Sequence, residues 1–190
     1  MIKSKDDLWA YIVSDAKANS ILQGGNFRNK LRNRFNPTWQ FIIALRKYEY
    51  AKNTNNTILT IIRWFKWHRL SIKLGFTIPP NVCDSGLSLP HYGNIIINPN
   101  AHIGKNCRIH VGVNIGANGG SNLAPIIGDN VYIGPGVKIY GNIKIGDNSF
   151  IAANSVVNKS FTANSVLAGV PACNKKNAKE AWWELNKLNI

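Results

Sequence analysis

The sequence predicts an all-β chain wound as a parallel β-helix, with an α-helical region before it and a short helix after it. The first observation behind this is a step of six. Aliphatic residues recur at Ile97, Ile103, Ile109, Ile115, Ile127, Ile133, Ile139, Ile145, Ile151 and Val157, and Ser121 alone breaks the series. The second is a companion series four residues later, at Ala101, Cys107, Val113, Val131, Val137, Ser149 and Ser155. The third is a repeated turn signal, as in Ile103-Gly104-Lys105-Asn106, Ile127-Gly128-Asp129-Asn130 and Ile145-Gly146-Asp147-Asn148. Gly and Asn tolerate the left-handed backbone that tight corners need. A period of six suits neither an amphipathic helix nor an alternating strand, and it is the period of the hexapeptide β-helix. Three short strands then make one coil, the six-step aliphatic points inward, and residues three hexads apart lie above one another.

Taken in order, the chain divides into an α-helical region at 1–75, the coil at 76–172, and a basic link with a terminal helix at 173–190. Ser4, Asp6 and Asp7 precede the apolar-periodic stretch from Leu8 to Ala16, which marks a capped helix. Residues 17–36 are polar and basic and read as a loop around a short helix. Asn36-Pro37 starts a second helix, from Thr38 to Ala51, with Trp39, Phe41, Ile42, Leu45 and Tyr48 at helical spacing. A third helix, from Thr57 to Lys73, mixes Ile58, Ile61, Ile62, Trp64, Phe65 and Trp67 with Arg63, Lys66, His68, Arg69 and Lys73. Packing against neighbours, with the bases at the rim, is the favoured reading. An aromatic face flanked by bases also suits peripheral contact with an anionic membrane surface. From Gly75 to Pro90 the chain is extended, since Pro79-Pro80 forbids a helix. The coil's one long departure is the Gly-rich segment from Gly116 to Pro125. Residues 178–188, with Trp182 and Trp183, read as the terminal helix.

Composition narrows the chemistry. Twenty-three Lys and Arg against nine Asp and Glu give a formal charge of +14, so anionic partners are expected. The bases are dispersed rather than gathered into a reading motif, which argues against nucleic acid. Three scattered cysteines make neither a disulfide framework nor a zinc site. The first residues lack the apolar core of a secretory signal, and no apolar run approaches a membrane span, so a cytoplasmic protein with reduced thiols is expected. There is no phosphate loop, nucleophile elbow or metal-ligand spacing. Carboxylates are too few in the coil for paired-acid chemistry.

The titratable groups of choice are therefore histidines. Three-hexad spacing puts His91 one coil below Ile109, in an inward slot where an aliphatic is expected. His110 falls one coil up on the same flank, near Tyr92, so two imidazoles share a cleft. An imidazole there can take a proton from a hydroxyl near neutral pH. His102 falls at a corner and reads as solvent-exposed. The same spacing stacks Ala117, Pro135 and Ala153, and likewise Gly116, Gly134 and Ala152, leaving a shallow groove suited to a long, thin ligand such as a pantetheine arm.

Several segments carry a family resemblance: Gly86-Leu87-Ser88-Leu89-Pro90-His91, the Gly-rich segment ending in Ala124-Pro125, the run from Val131 to Ile143, and Ala168-Gly169-Val170-Pro171-Ala172. Together they resemble the serine acetyltransferase family of left-handed β-helix acyltransferases over roughly residues 76–174. The resemblance implies transfer of acetyl from acetyl-CoA to a hydroxyl, at sites between neighbouring coils of a homotrimer that can pair into a hexamer, with no metal. It implies His91 as the catalytic base and Ala117, Pro135 and Ala153 as cofactor-lining residues. Gly134 belongs to the same groove, Lys175 and Lys176 would contact the CoA phosphates, and His110 and Tyr92 would bind the acceptor. The chain departs from the family at three places. Pro90 stands where the family has an Asp before its catalytic His. Phe76-Thr77-Ile78-Pro79 lacks the acid ahead of the family's Ile-His-Pro turn, and Leu123-Ala124 replaces an Arg-His pair. On these departures the sequence looks more like the branch that O-acetylates sugars in surface polysaccharides. A saccharide acceptor is thus the leading expectation, free L-serine the alternative, and a non-catalytic membrane-surface scaffold the reading from a different class.

Overall fold

In the computed structural model, which describes residues 1–21, 31 and 33–177, three helices lead into a three-sided parallel coil. Helix α1 (Lys5–Ala18) opens with a complete capping box. The Ser4 side chain accepts from the Asp7 amide, and the Asp7 carboxylate accepts from the Ser4 amide. Helix α2 (Pro37–Asn53) is capped by Asn36 and begins on Pro37. Helix α3 (Thr57–Leu74) ends at Gly75, whose φ of 74° supplies the left-handed turn into the coil. The predicted terminal helix at 178–188 lies outside the described residues, as does most of the loop at 22–32.

The coil has three flanks. The first holds β1 (Phe76–Thr77), β2 (Ile95–Ile97), β5 (Asn114–Gly116), β8 (Lys138–Tyr140) and β11 (Val156–Val157). The second holds β3 (His102–Ile103), β6 (Ile126–Ile127) and β9 (Lys144–Ile145). The third holds β4 (Arg108–Ile109), β7 (Tyr132–Ile133), β10 (Phe150–Ile151) and β12 (Ser165–Gly169), and β13 (Ala172–Asn177) closes it antiparallel to β12. The six-step aliphatics from Ile97 to Val157 are all buried in the prism. Helix α2 extends this core with Phe41, Ile42 and Leu45, and Phe41 meets Phe76 edge to face.

The coils are not uniform. Asn114 pairs with Ile96 and Tyr132 with Phe150, both eighteen residues apart, as three hexads require. Ile103, however, pairs with Ile127, and Ile109 with Ile133, twenty-four residues apart. The Gly-rich segment is therefore an extra hexad looped out of one coil. Ser121 is exposed on that loop and is not a failed core position. At the corners the two turn residues do different work. Asn106, Asn130, Asn148 and Asn164 adopt φ of 55–60°, and their side-chain amides form a ladder along one edge of the prism. Gly128 lacks a positive φ, and its requirement is space. A Cβ there would sit 2.8 Å from the backbone nitrogen of Asp147.

A buried ion cluster joins the helices to the coil. Arg46 of α2 donates to both carboxylate oxygens of Asp15 (2.7 and 3.3 Å), to Glu49 (3.0 Å), and to the carbonyls of Cys83 and Asp84. Asp15 also accepts from the amides of Gly86 and Leu87, and Glu49 from that of Asn81. The Arg46 and Asp15 side chains are completely buried. Burial opposes the Arg46 charge, but the two carboxylates outweigh it and hold the guanidinium protonated.

Helix α3 packs with one face only. Trp67 stacks on Tyr48 at 5.1 Å, while Ser71 and Leu74 are buried. The opposite face leaves Ile58, Ile61, Ile62, Phe65 and Ile72 exposed. His68 stacks on Trp64 at 4.8 Å. No helix among the described residues is long and apolar enough to cross a membrane.

Candidate active site

The site lies on the third flank, where the chain leaves its first coil. Ser88 bridges to Arg108, twenty residues on, so the inward slot below Ile109 belongs to Leu89, which is fully buried. The expectation that His91 fills that slot is corrected. The first coil is two residues longer than three hexads, and His91 is displaced onto the exposed rim, in the bend before β2. Tyr92 beside it is 66% exposed. The two imidazoles nonetheless lie close together, with the His91 and His110 rings 6.1 Å apart.

His110 heads an aromatic column up this flank. Its ring is 5.0 Å from Tyr132, which stacks on Phe150 at 4.6 Å. Parallel register sets the upper step, because Tyr132 pairs with Phe150. The Nε–H of Arg108 donates to Nε2 of His110 at 3.4 Å, a geometry that needs a neutral imidazole with its lone pair on Nε2. Burial, then Arg108, then His91 push the His110 pKa down from 6.5 to about 4. The neutral ring is thus the form the fold favours. That stabilisation is complete above pH 6.5 and erodes as pH falls toward 4.

No carboxylate among the described residues pairs with His91. Asp15 and Glu49 are engaged by Arg46, and Asp84 faces Tyr11 and His102. Asp129 and Asp147 accept from turn amides at the corners. His102 is not at a corner but on β3, half-exposed, with Nε2 3.6 Å from Asp84. Cys107 is buried as expected, and burial raises its thiol pKa to about 12, which rules it out as a nucleophile. No group of three potential metal ligands occurs among the described residues.

The small-residue stack is corrected in part. Gly134 stands beneath Ala152 and Ala153, and a Cβ on it would lie 2.8 Å from the Ala153 nitrogen. Ala117 does not continue that stack, because Gly116 pairs with Tyr140 on the first flank. The looped-out hexad moves Ala117 one face away from Pro135 and Ala153. Lys175 is exposed on the closing strand β13, which also contains Lys176. Two site features escaped the sequence reading. One is Arg108, whose spacing of two from His110 on a strand places both side chains on the same face. The other is a polar pocket of about 210 Å³ lined by Asn19, Asn36, Thr38, Ser88, Pro90 and Arg108.

Coil and site together define a hexapeptide-repeat transferase. Residues 124–159 match the bacterial transferase hexapeptide (six repeats) family, and this membership implies the left hand for the coil. The chain is 38% identical over 95 residues to the serine acetyltransferase of Mycobacterium tuberculosis, covering 49% of this chain and 42% of that protein. It is 32% identical over 173 residues to the serine acetyltransferase of Staphylococcus aureus, covering 89% of this chain and 76% of that one. Among solved structures it resembles the serine acetyltransferase of Brucella abortus in complex with coenzyme A, at 28% identity and a TM-score of 0.72 over 91% of this chain and 69% of that one. The chain belongs to the serine acetyltransferase family and is an acyltransferase. The relatives are serine acetyltransferases and lend no support to the polysaccharide branch.

Proposed function

We propose that the protein is an acetyl-CoA-dependent O-acetyltransferase whose acceptor is the hydroxyl of L-serine. The observation that carries this reading is an exposed imidazole, His91, beside the neutral imidazole of His110 on a rigid coil flank, in a chain that aligns with a serine acetyltransferase over 89% of its length. His91 removes the acceptor hydroxyl proton as the oxygen attacks the thioester carbonyl. The new C–O bond forms, the C–S bond breaks, and the imidazolium returns its proton to the departing CoA thiolate. Positioning of both substrates supplies much of the acceleration.

Acetyl-CoA lies along Gly134, Pro135 and Ala153, with Lys175 near its phosphates as a point charge. The displacement of Ala117 to a different flank suits a groove built by two chains of a homotrimer, one contributing the Ala117 face and its neighbour the Pro135–Ala153 face. Tyr92 and His110 border the acceptor.

Pro90 and Leu123-Ala124, which stand where the resemblance calls for an acid and an Arg-His pair, favour a second reading with a saccharide acceptor. CoA release in the presence of acetyl-CoA separates the two. Turnover is expected with free L-serine, and activity confined to nucleotide sugars or oligosaccharides would transfer the assignment to the second reading.

The exposed stripe of α3 favours one accessory property, contact with an anionic lipid surface. It contains Ile58, Ile62, Phe65 and Ile72 bordered by Arg63, Lys66, Arg69 and Lys73, with no acid on the helix. Arg63 and Lys66 also press on Lys47, whose pKa is lowered first by burial and then by these two cations. Such like-charge crowding opposes a second copy on the same face and favours anionic headgroups. The protein is expected to float with phosphatidylglycerol vesicles at low salt and to dissociate as salt rises. Equal binding to neutral phosphatidylcholine, or none to either, would reject the contact.

A further inference from the structure

We propose that Arg108 is the anion receptor of the acceptor site, binding a carboxylate that the acceptor carries near the hydroxyl deprotonated by His91. This rests on the O-acetyltransferase reading and adds the chemical class of its acceptor. Arg108 lies on β4, one residue before the buried Ile109, so its side chain shares the outer face with His110. Its Nε–H is engaged by His110, and no carboxylate among the described residues lies within ion-pair distance of it. A guanidinium at the rim of a pocket, its terminal N–H groups facing no carboxylate, is open to an incoming anion.

The pocket beside it has room for a few heavy atoms, and it reaches Pro90, the residue before the catalytic imidazole. Asn19, Asn36 and Thr38 of its wall make hydrogen bonds of their own. Asn19 donates to the carbonyls of Asp15 and Leu87 and accepts from the Leu89 amide. Asn36 accepts from Thr38 and from the Trp39 amide. The terminal N–H groups of Arg108 make no hydrogen bond among the described residues, and their planar fork matches a carboxylate. His110, held neutral, orients the guanidinium without competing for the anion.

A carboxylate next to an acceptor hydroxyl has two sources, a hydroxy amino acid such as L-serine and a uronic acid. Initial rates of CoA release are to be measured for two matched pairs, L-serine against L-serinamide and glucuronate against glucose, in wild type, Arg108→Gln and Arg108→Lys. The wild type is expected to prefer the charged member of one pair by about 10–100-fold, the worth of charge-assisted hydrogen bonds. That preference is expected to collapse toward unity in Arg108→Gln, through KM more than kcat, and to persist in part in Arg108→Lys. A purely structural role would slow both members of a pair alike.

The pair that shows the preference identifies the source. Preference for glucuronate alone would discard serine and keep Arg108. Undiminished preference in Arg108→Gln, or no preference in either pair, overturns the proposal. Absence of turnover with every acceptor would count against the acetyltransferase reading. Equilibrium dialysis of labelled L-serine and glucuronate against wild type and Arg108→Gln would then decide the anion site by itself: binding of either that is lost in the variant supports it, and no binding or undiminished binding rejects it.

Discussion

Replacing His91 by alanine is expected to lower kcat by about 10²–10⁴-fold, the span of general-base loss. Because His91 is exposed and lies in a bend outside the strands, the variant should fold as the parent does, with an unchanged unfolding transition. Steady-state CoA release on a variant of unaltered Tm is therefore a clean measurement. Turnover near that of the parent would remove His91 from the base's role. His110 is no equivalent substitute. Its ring accepts from Arg108 and is held neutral with a pKa of about 4, so it is a weak base at neutral pH.

Arg46→Met is expected to cost about 3–5 kcal/mol of stability, the range found when one partner of a buried ion pair is removed. For a chain of this size that lowers Tm by roughly 6–20 °C. The substitution leaves the Asp15 and Glu49 carboxylates without their guanidinium and orphans the carbonyls of Cys83 and Asp84. Glu49→Gln should cost less, because its amide oxygen still accepts from the Asn81 amide. Thermal unfolding followed by circular dichroism checks both. An Arg46→Met variant as stable as the parent would show that the cluster does not couple helices to coil.

The site was legible in outline because its parts sit on a periodic scaffold. His91 and His110 were brought together by counting, and the structure places their rings 6.1 Å apart. Counting failed where the period did. The first coil spans twenty residues between Ser88 and Arg108, and the coil carrying the Gly-rich loop spans twenty-four. One irregularity lifts His91 out of the core slot, and the other moves Ala117 away from Pro135. A hexad register presumes equal coils, and a looped-out insertion changes the face of every residue compared across it.

The sequence by itself determined the prism: inward aliphatics at every sixth position, and Gly- and Asn-bearing corners between them. Both are local requirements repeated along the chain, so a single strand of text displays them. Only the tertiary structure decided that Asp15, Arg46 and Glu49 form one buried cluster and that Arg108, hydrogen-bonded to His110, meets no carboxylate among the described residues. Ion pairing across thirty or more residues leaves no periodic trace. Whether a charged side chain is a solvated surface group or a buried tie depends on what folds over it.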